Sequence, residues 1–153
     1  MNGESMSEPK PGIRYLTIDD YDALIALWDR ADLSYRPKGR DSRESMAREM
    51  ADYPHGYIGL FLDNRLIAFI LASFDGRKGW INRLAVDPDF RGRGYGIRMI
   101  AEAERVLHEQ YDAQIVTALV EPGNDPSYNL FVKCGYRVWE GMYYFSKRSH
   151  PDV

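Results

Sequence analysis

The residues best placed by type and spacing to do chemistry are Arg91-Gly92-Arg93-Gly94-Tyr95-Gly96, directly after Leu84-Ala85-Val86-Asp87-Pro88-Asp89-Phe90. An apolar strand ends, a polar turn follows, and a loop of alternating glycines opens a helix. Such a loop presents consecutive backbone N–H groups at a helix N-terminus, where the dipole is positive. Glycine lets the backbone reach a ligand with no Cβ between them, and two arginines add charge for phosphates. These features predict a site for a diphosphate-bearing ligand. The spacing then sorts the ligands. A dinucleotide fingerprint needs G-x-G-x-x-G, whereas Gly92-x-Gly94-x-Gly96 is one residue short. A P-loop needs a lysine after its last glycine, and none follows Gly96.

Fewer residues offer proton chemistry. Glu121 follows the apolar run Ile115 to Val120 and can accept a proton directly or through water. Asn82 can orient a water or a substrate but cannot act as a base. His55, His108 and His150 show no metal-ligand spacing with a carboxylate, so no metal is expected. The single cysteine, Cys134, excludes an internal disulfide and a cysteine-based metal cluster.

Arg91, Gly94 and Gly96 do fit the spacing R/Q-x-x-G-x-G/A. The segment Trp80 to Ile100 resembles the acyl-coenzyme A loop of GNAT superfamily N-acetyltransferases, the Leu84-to-Pro88 strand end included. Downstream, Asn124-x-x-Ser127-x-x-Leu130-Phe131-x-x-x-Gly135-Tyr136 resembles that family's late N-x-x-A-x-x-L-Y-x-x-x-G-F pattern. The two matches stand in the family's order and at about its spacing. The resemblance implies an acetyl-CoA-dependent N-acetyltransferase that moves an acetyl group from a thioester to a primary amine by direct attack. Acetyl-CoA is then a co-substrate, and the acceptor is a small-molecule or peptide amine.

The resemblance also distributes roles. The backbone of Leu84, Ala85 and Val86 would pair with the pantetheine arm, and one of their amides would face the developing oxyanion. Arg91, Gly92, Arg93, Gly94, Tyr95 and Gly96 would hold the pyrophosphate, with Ile97, Asn124 and Phe131 completing the cofactor site. Many members carry a tyrosine proton donor where this chain has Phe131, which has no proton to give. Tyr128, one helical turn earlier and on nearly the same face, becomes the candidate acid, and Glu121 the candidate base. In the family, the segment joining the first two helices overhangs the acceptor. Here Leu33 to Arg43 carries Tyr35, Arg36, Lys38, Arg40 and Arg43 against Asp41. A basic lid of that kind favours an acceptor with a carboxylate or phosphate besides its amine. Phe131 also keeps a second class open: a coenzyme A-binding module with little or no catalysis, separable by whether amines make it consume acetyl-CoA.

Composition bounds the rest. A chain of 153 residues, 44% hydrophobic, is one domain with a sizeable core. The net charge of −3 implies no general affinity for nucleic acid. Yet residues 77–98 hold six cations against Asp87 and Asp89, a patch suited to a small anion. A nucleotide- or nucleic-acid-binding reading rests on those arginines alone, with no stacking-aromatic motif beside them. No run approaches the roughly 18 apolar residues of a membrane span. Met1 to Pro11 is polar, without the apolar core of a secretory signal. A cytoplasmic setting is expected, as a monomer or homodimer.

These residues must be positioned by a domain over 13–148, preceded by a flexible tail over 1–12. Ile13 to Ile18 alternates as a first strand. Thr17 or Asp19 can cap a helix to about Ala31, and Asp41 or Ser42 a second helix ending before Pro54. Tyr57 to Leu62 and Leu66 to Phe74 read as a hairpin about Asp63-Asn64, and Trp80 to Val86 as the next strand. A helix of about 24 Å is expected over Tyr95 to Gln110. Gln114 to Val120 reads as a strand covered on both faces, and Pro126 to Lys133 as a short helix stopped at Gly135. Tyr136 to Glu140 and Met142 to Lys147 read as a closing pair of strands about Gly141. The fold class expected is α/β of the α+β type. It is a GNAT-like mixed, mostly antiparallel sheet of about seven strands, with helices on both faces.

Overall fold

The computed structural model describes residues 10–153, so most of the expected tail lies outside the described residues. Its elements are β1 (Gly12–Tyr15), α1 (Tyr21–Arg30), α2 (Arg43–Asp52), β2 (Tyr57–Leu62), β3 (Arg65–Phe74), β4 (Gly79–Val86), α3 (Tyr95–Tyr111), β5 (Val116–Ala118) and α4 (Asp125–Lys133). The five strands form one sheet in sequence order. β1 through β4 are antiparallel neighbours, and β5 runs parallel to β4 after the α3 crossover.

Local chemistry explains the boundaries. The β2–β3 hairpin turns on Asp63 (φ +48°) and Asn64 (φ +67°), both left-handed as a type I′ turn demands. The Ser42 side chain caps α2 by accepting from the Ser45 N–H at 3.1 Å. Asp75 fixes the β3–β4 turn, accepting from the N–H groups of Lys78 (2.7 Å) and Arg77 (2.8 Å) and from the Trp80 indole (3.0 Å).

Each face of the sheet carries its own core. On one side Met99, Ile100, Ala103, Val106 and Leu107 of α3 and Phe131 of α4 close over Ile58, Leu60, Ile70, Ala72 and Ile81. On the other, Leu24, Leu27 and Trp28 of α1 and Met46 and Met50 of α2 close over Leu66, Phe69 and Ala85. A register shift opposite Leu60 and Phe61 puts Ile67 and Ala68, adjacent in sequence, in the same core. Helices therefore cover both faces of a mixed, mostly antiparallel sheet, as expected.

The strand count differs: five, where about seven were expected. Gly141 turns the chain with φ +78° as its sequence suggests, but the flanking segments 136–140 and 142–147 form no strand. Trp139, Met142 and Phe145 are 68%, 79% and 89% exposed. Strand-forming residues about a glycine turn are a local signal, whereas a strand also needs a partner edge, which local sequence does not supply. β5 is likewise shorter than Gln114 to Val120, with Ile115 and Leu119 more than half exposed, because it pairs on its β4 side alone.

Candidate functional site: a glycine loop beside a splayed strand pair

The loop between β4 and α3 begins at a buried anchor. Asp87, 1% exposed, accepts from the Asp89 N–H (3.0 Å), Arg30 Nε (2.9 Å) and an Arg65 guanidinium N–H (2.9 Å). Burial alone would push this carboxyl up. The Asp89 N–H and the two guanidinium groups outweigh it and hold the carboxyl below the usual carboxylate range. From this anchor the chain passes Gly92 (φ +77°) and Gly94 (φ +79°), conformations L side chains rarely adopt. Gly94 is the N-cap of α3, so the first N–H groups of the helix have no intrahelical acceptor. A Cβ on either glycine would meet nothing within 4 Å, which leaves the backbone open to a ligand. Arg91 donates back to the Val86 carbonyl at 3.3 Å, and the Arg93 guanidinium stands 5.3 Å from the Phe90 ring centroid. Gly96 does different work. A Cβ there would lie 2.8 Å from Leu130 Cδ2, so this glycine lets α4 pack close to α3.

Beside the loop the sheet opens. The β4–β5 ladder pairs Gly79 with Val116, Trp80 with Thr117 and Ile81 with Ala118, then stops, while β4 continues to Val86. Ligands in open α/β sheets lie where parallel strands end and diverge. A cleft of about 470 Å³ lies here, lined by Ile81 to Leu84 on one side and Leu119 to Glu121 on the other. β4 is also bulged. Phe69 pairs with Ala85 and Leu71 with Asn82, leaving Arg83 and Leu84 together opposite Ile70. Arg83 sits at φ +57°, a left-handed conformation costly for a long side chain.

The bulge sends Arg83 toward the loop between α1 and α2. Its guanidinium donates to Asp41 Oδ2 at 2.9 Å and to the Ser34 carbonyl, and lies 5.0 Å from the Trp28 ring centroid. Asp41, 6% exposed, also accepts from the Arg36 N–H at 2.7 Å, and its carbonyl accepts from the Tyr21 hydroxyl at 2.8 Å. One buried carboxylate thus pins the loop over the bulge. Burial pushes Arg83 below its ordinary value; Asp41 opposes this, and the nearby Arg40 and Arg36 add to it.

The sequence-predicted residues fall as follows. Leu84, Glu121, Asn124 and Phe131 line the cleft, as does Asn82. Ala85 is buried among α1 and α2, and Val86 is half-buried against the α3 side. Arg91, Gly92, Arg93 and Gly94 are exposed, and Tyr95, Gly96 and Ile97 half-buried. Asn124 caps α4, accepting from the Ser127 N–H at 3.3 Å. Phe131, 9% exposed, meets Tyr136 edge-on with centroids 5.1 Å apart. Tyr128, 45% exposed, stands on α4 outside the cleft lining. Arg36 and Arg40 line the cleft, whereas Arg43 bonds Asp22 and the Ile18 carbonyl, both at 3.3 Å. Among the described residues no group of three or more His, Cys, Asp or Glu could hold a metal, and no helix is long and apolar enough to cross a membrane.

Three contributors escaped sequence reasoning. Asp41, read as a helix cap, is the anchor of the loop. Arg148, from the tail beyond α4, lines the cleft. An arginine in the middle of the strand Ile81 to Val86 was a readable signal for Arg83; Arg148 had none.

The chain is similar in sequence and in fold to known proteins. Acetyltransferase plu1384 of Photorhabdus laumondii is 32% identical over 142 residues, covering 92% of this chain and 96% of that protein. Acetyltransferase SG1711 of Sodalis glossinidius is 28% identical over 140 residues, with the same coverage. Among solved structures, the PaiA N-acetyltransferase of Thermoplasma acidophilum in complex with coenzyme A superposes with a TM-score of 0.74 at 20% identity, over 87% of this chain and 93% of that one. The aminoglycoside acetyltransferase AAC(6')-Iy, bound to a bisubstrate analogue, gives 0.73 at 19% identity, over 90% and 98%. The profile of the acetyltransferase (GNAT) family matches residues 21–136, most of the chain, and the protein belongs to that family.

Proposed function

We propose that the protein is an N-acetyltransferase that uses acetyl-CoA to acetylate a primary amine. The observation that carries this reading is the cleft where β5 leaves β4, with the glycine loop beside it. The residues fit the co-substrate: an open backbone at Gly92 and Gly94, the positive end of α3, and two exposed arginines for a pyrophosphate. Bound acetyl-CoA supplies an acetyl group activated as a thioester.

The chain's own residues have the remaining tasks. Beyond Ile81 the β4 backbone has no β5 partner and is available to an amide-bearing arm. The bulge takes Arg83 and Leu84 out of regular register, and we assign one of their N–H groups to the acetyl oxygen; one such donor is worth about 3 kcal/mol elsewhere. An amine acceptor has an ordinary pKa near 10 and must reach the carbonyl neutral. Glu121, which lines the cleft, takes that proton directly or through water. Phe131 packs beside the thioester arm and donates nothing. Because Tyr128 stands outside the lining, the departing thiolate, of ordinary pKa about 8.5, takes its proton from solvent.

Thiol release by the purified full chain across a panel of amines tests the proposal. Release that depends on amine supports it. Binding of acetyl-CoA without amine-dependent release would favour the binding module that Phe131 keeps in play.

A further inference from the structure

Four arginines line the cleft. Arg36 and Arg40 reach it from the loop between α1 and α2, Arg83 from the β4 bulge, and Arg148 from the tail beyond α4. Three separate parts of the chain thus bring guanidinium groups to one cavity. Among the described residues, Asp32 and Glu121 alone supply carboxylates to the same lining. Arg83 is committed to Asp41 and the Ser34 carbonyl. Arg40 approaches that same carboxylate only to 3.9 Å, with a side chain 59% exposed. Arg36 gives its backbone N–H to Asp41, and its guanidinium has no ion-pair partner among the described residues. Arg148 donates to the Val153 carbonyl, and residues 152 and 153 press on Gly39, so the tail end is held against the loop. Like charges crowded into a cleft with low-dielectric walls repel one another and focus a positive potential into it.

We infer that Arg36, Arg40 and Arg148 form an anion subsite, and that the acceptor is an amine bearing a carboxylate or phosphate. The inference rests on the acetyl-transfer reading of this cleft and adds the class of substrate. The guanidinium groups bind the anion and leave the amine to face Glu121. A polycationic acceptor meets the same groups as repulsion. The subsite is distinct from the glycine loop, so these arginines contribute to acceptor binding and not to coenzyme A binding.

The experiment compares three amines of equal chain length, ε-aminocaproate, hexylamine and hexamethylenediamine, with phosphoethanolamine and β-alanine to separate phosphate from carboxylate. Steady-state thiol release is measured for the parent, Arg36→Gln, Arg40→Gln and Arg148→Gln. Calorimetric binding of each amine to the coenzyme A complex, and of coenzyme A itself, is measured in parallel. The anionic amines should be preferred in kcat/KM and in binding. Each substitution should reduce that preference about tenfold or more, the loss of one hydrogen bond to a charged group. Hexylamine and coenzyme A should be bound as by the parent. Equal use of the three amines, or preference for the diamine, overturns the inference. So does a variant that weakens coenzyme A as much as the acceptor, because the arginines would then hold the cofactor. Should no amine be acetylated, the acetyl-transfer reading fails, and the calorimetric ranking still decides the subsite.

Discussion

Asp87→Ala should destabilise the fold by about 3 kcal/mol near neutral pH. Breaking a fully buried ion pair costs about 3–5 kcal/mol. Here the carboxylate is buried, but the side chains of Arg30 and Arg65 are 37% and 50% exposed and can rehydrate once it is gone. What remains is the loss of two charge-assisted hydrogen bonds at the low end of about 1.5 kcal/mol each, with a smaller term for the Asp89 N–H. In a domain of this size that shifts the melting temperature by about 6–12 °C. Asp87→Asn keeps an acceptor for the Asp89 N–H and should lose less. The pH dependence has a definite sign. The folded carboxyl titrates below its ordinary value, so its stabilisation is present above the unfolded pKa and is lost as pH falls through the folded one. Denaturant titrations of parent and variant should therefore converge on acidification. A gap under about 1 kcal/mol near neutral pH would refute the reasoning, as would a gap that survives unchanged into acid. Because Asp87 sets the start of the glycine loop, the variant should also bind coenzyme A more weakly than its stability loss explains.

Three further outcomes are expected. Coenzyme A at a hundredfold excess over its dissociation constant should stabilise the parent by about 2.7 kcal/mol in thermal denaturation, and Gly94→Val should lose that shift, since a branched side chain at φ +79° deforms the cradle. Phe131→Tyr should fold and turn over at least as well as the parent, while Tyr128→Phe should leave turnover unchanged when chemistry is rate-limiting; a drop in the latter would place Tyr128 in the reaction. Arg83→Gln and Asp41→Asn should be non-additive by about 1 kcal/mol or more in a double-mutant cycle, because their two largely buried side chains share one hydrogen bond at 2.9 Å.

Much of this was legible because it was local. The Asp63-Asn64 turn, the Ser42 cap and the glycine loop are short-range chemistry, and their elements began and ended close to where the residues placed them. The periodicity of α3 likewise sufficed to mark its buried face. What escaped is long-range. The ion pair joining Asp41 to Arg83 spans 42 residues, and the bulge that aims Arg83 is a register decision between strands, invisible in either alone. Arg148 reaches the cleft through the path of a tail that read as a closing pair of strands. Phe131 illustrates the middle ground: its place in the cleft could be read by resemblance, but not the exposure of Tyr128 one turn away.

The central claim is that one cleft holds acetyl-CoA and passes its acetyl group to an amine. Isotopically labelled acetyl-CoA, incubated with the purified full chain and ε-aminocaproate, tests it most directly by mass spectrometry of the acceptor. The account predicts labelled acetyl on the amine with the parent, and little with Gly94→Val. Unlabelled acceptor in the presence of demonstrably bound acetyl-CoA would contradict it.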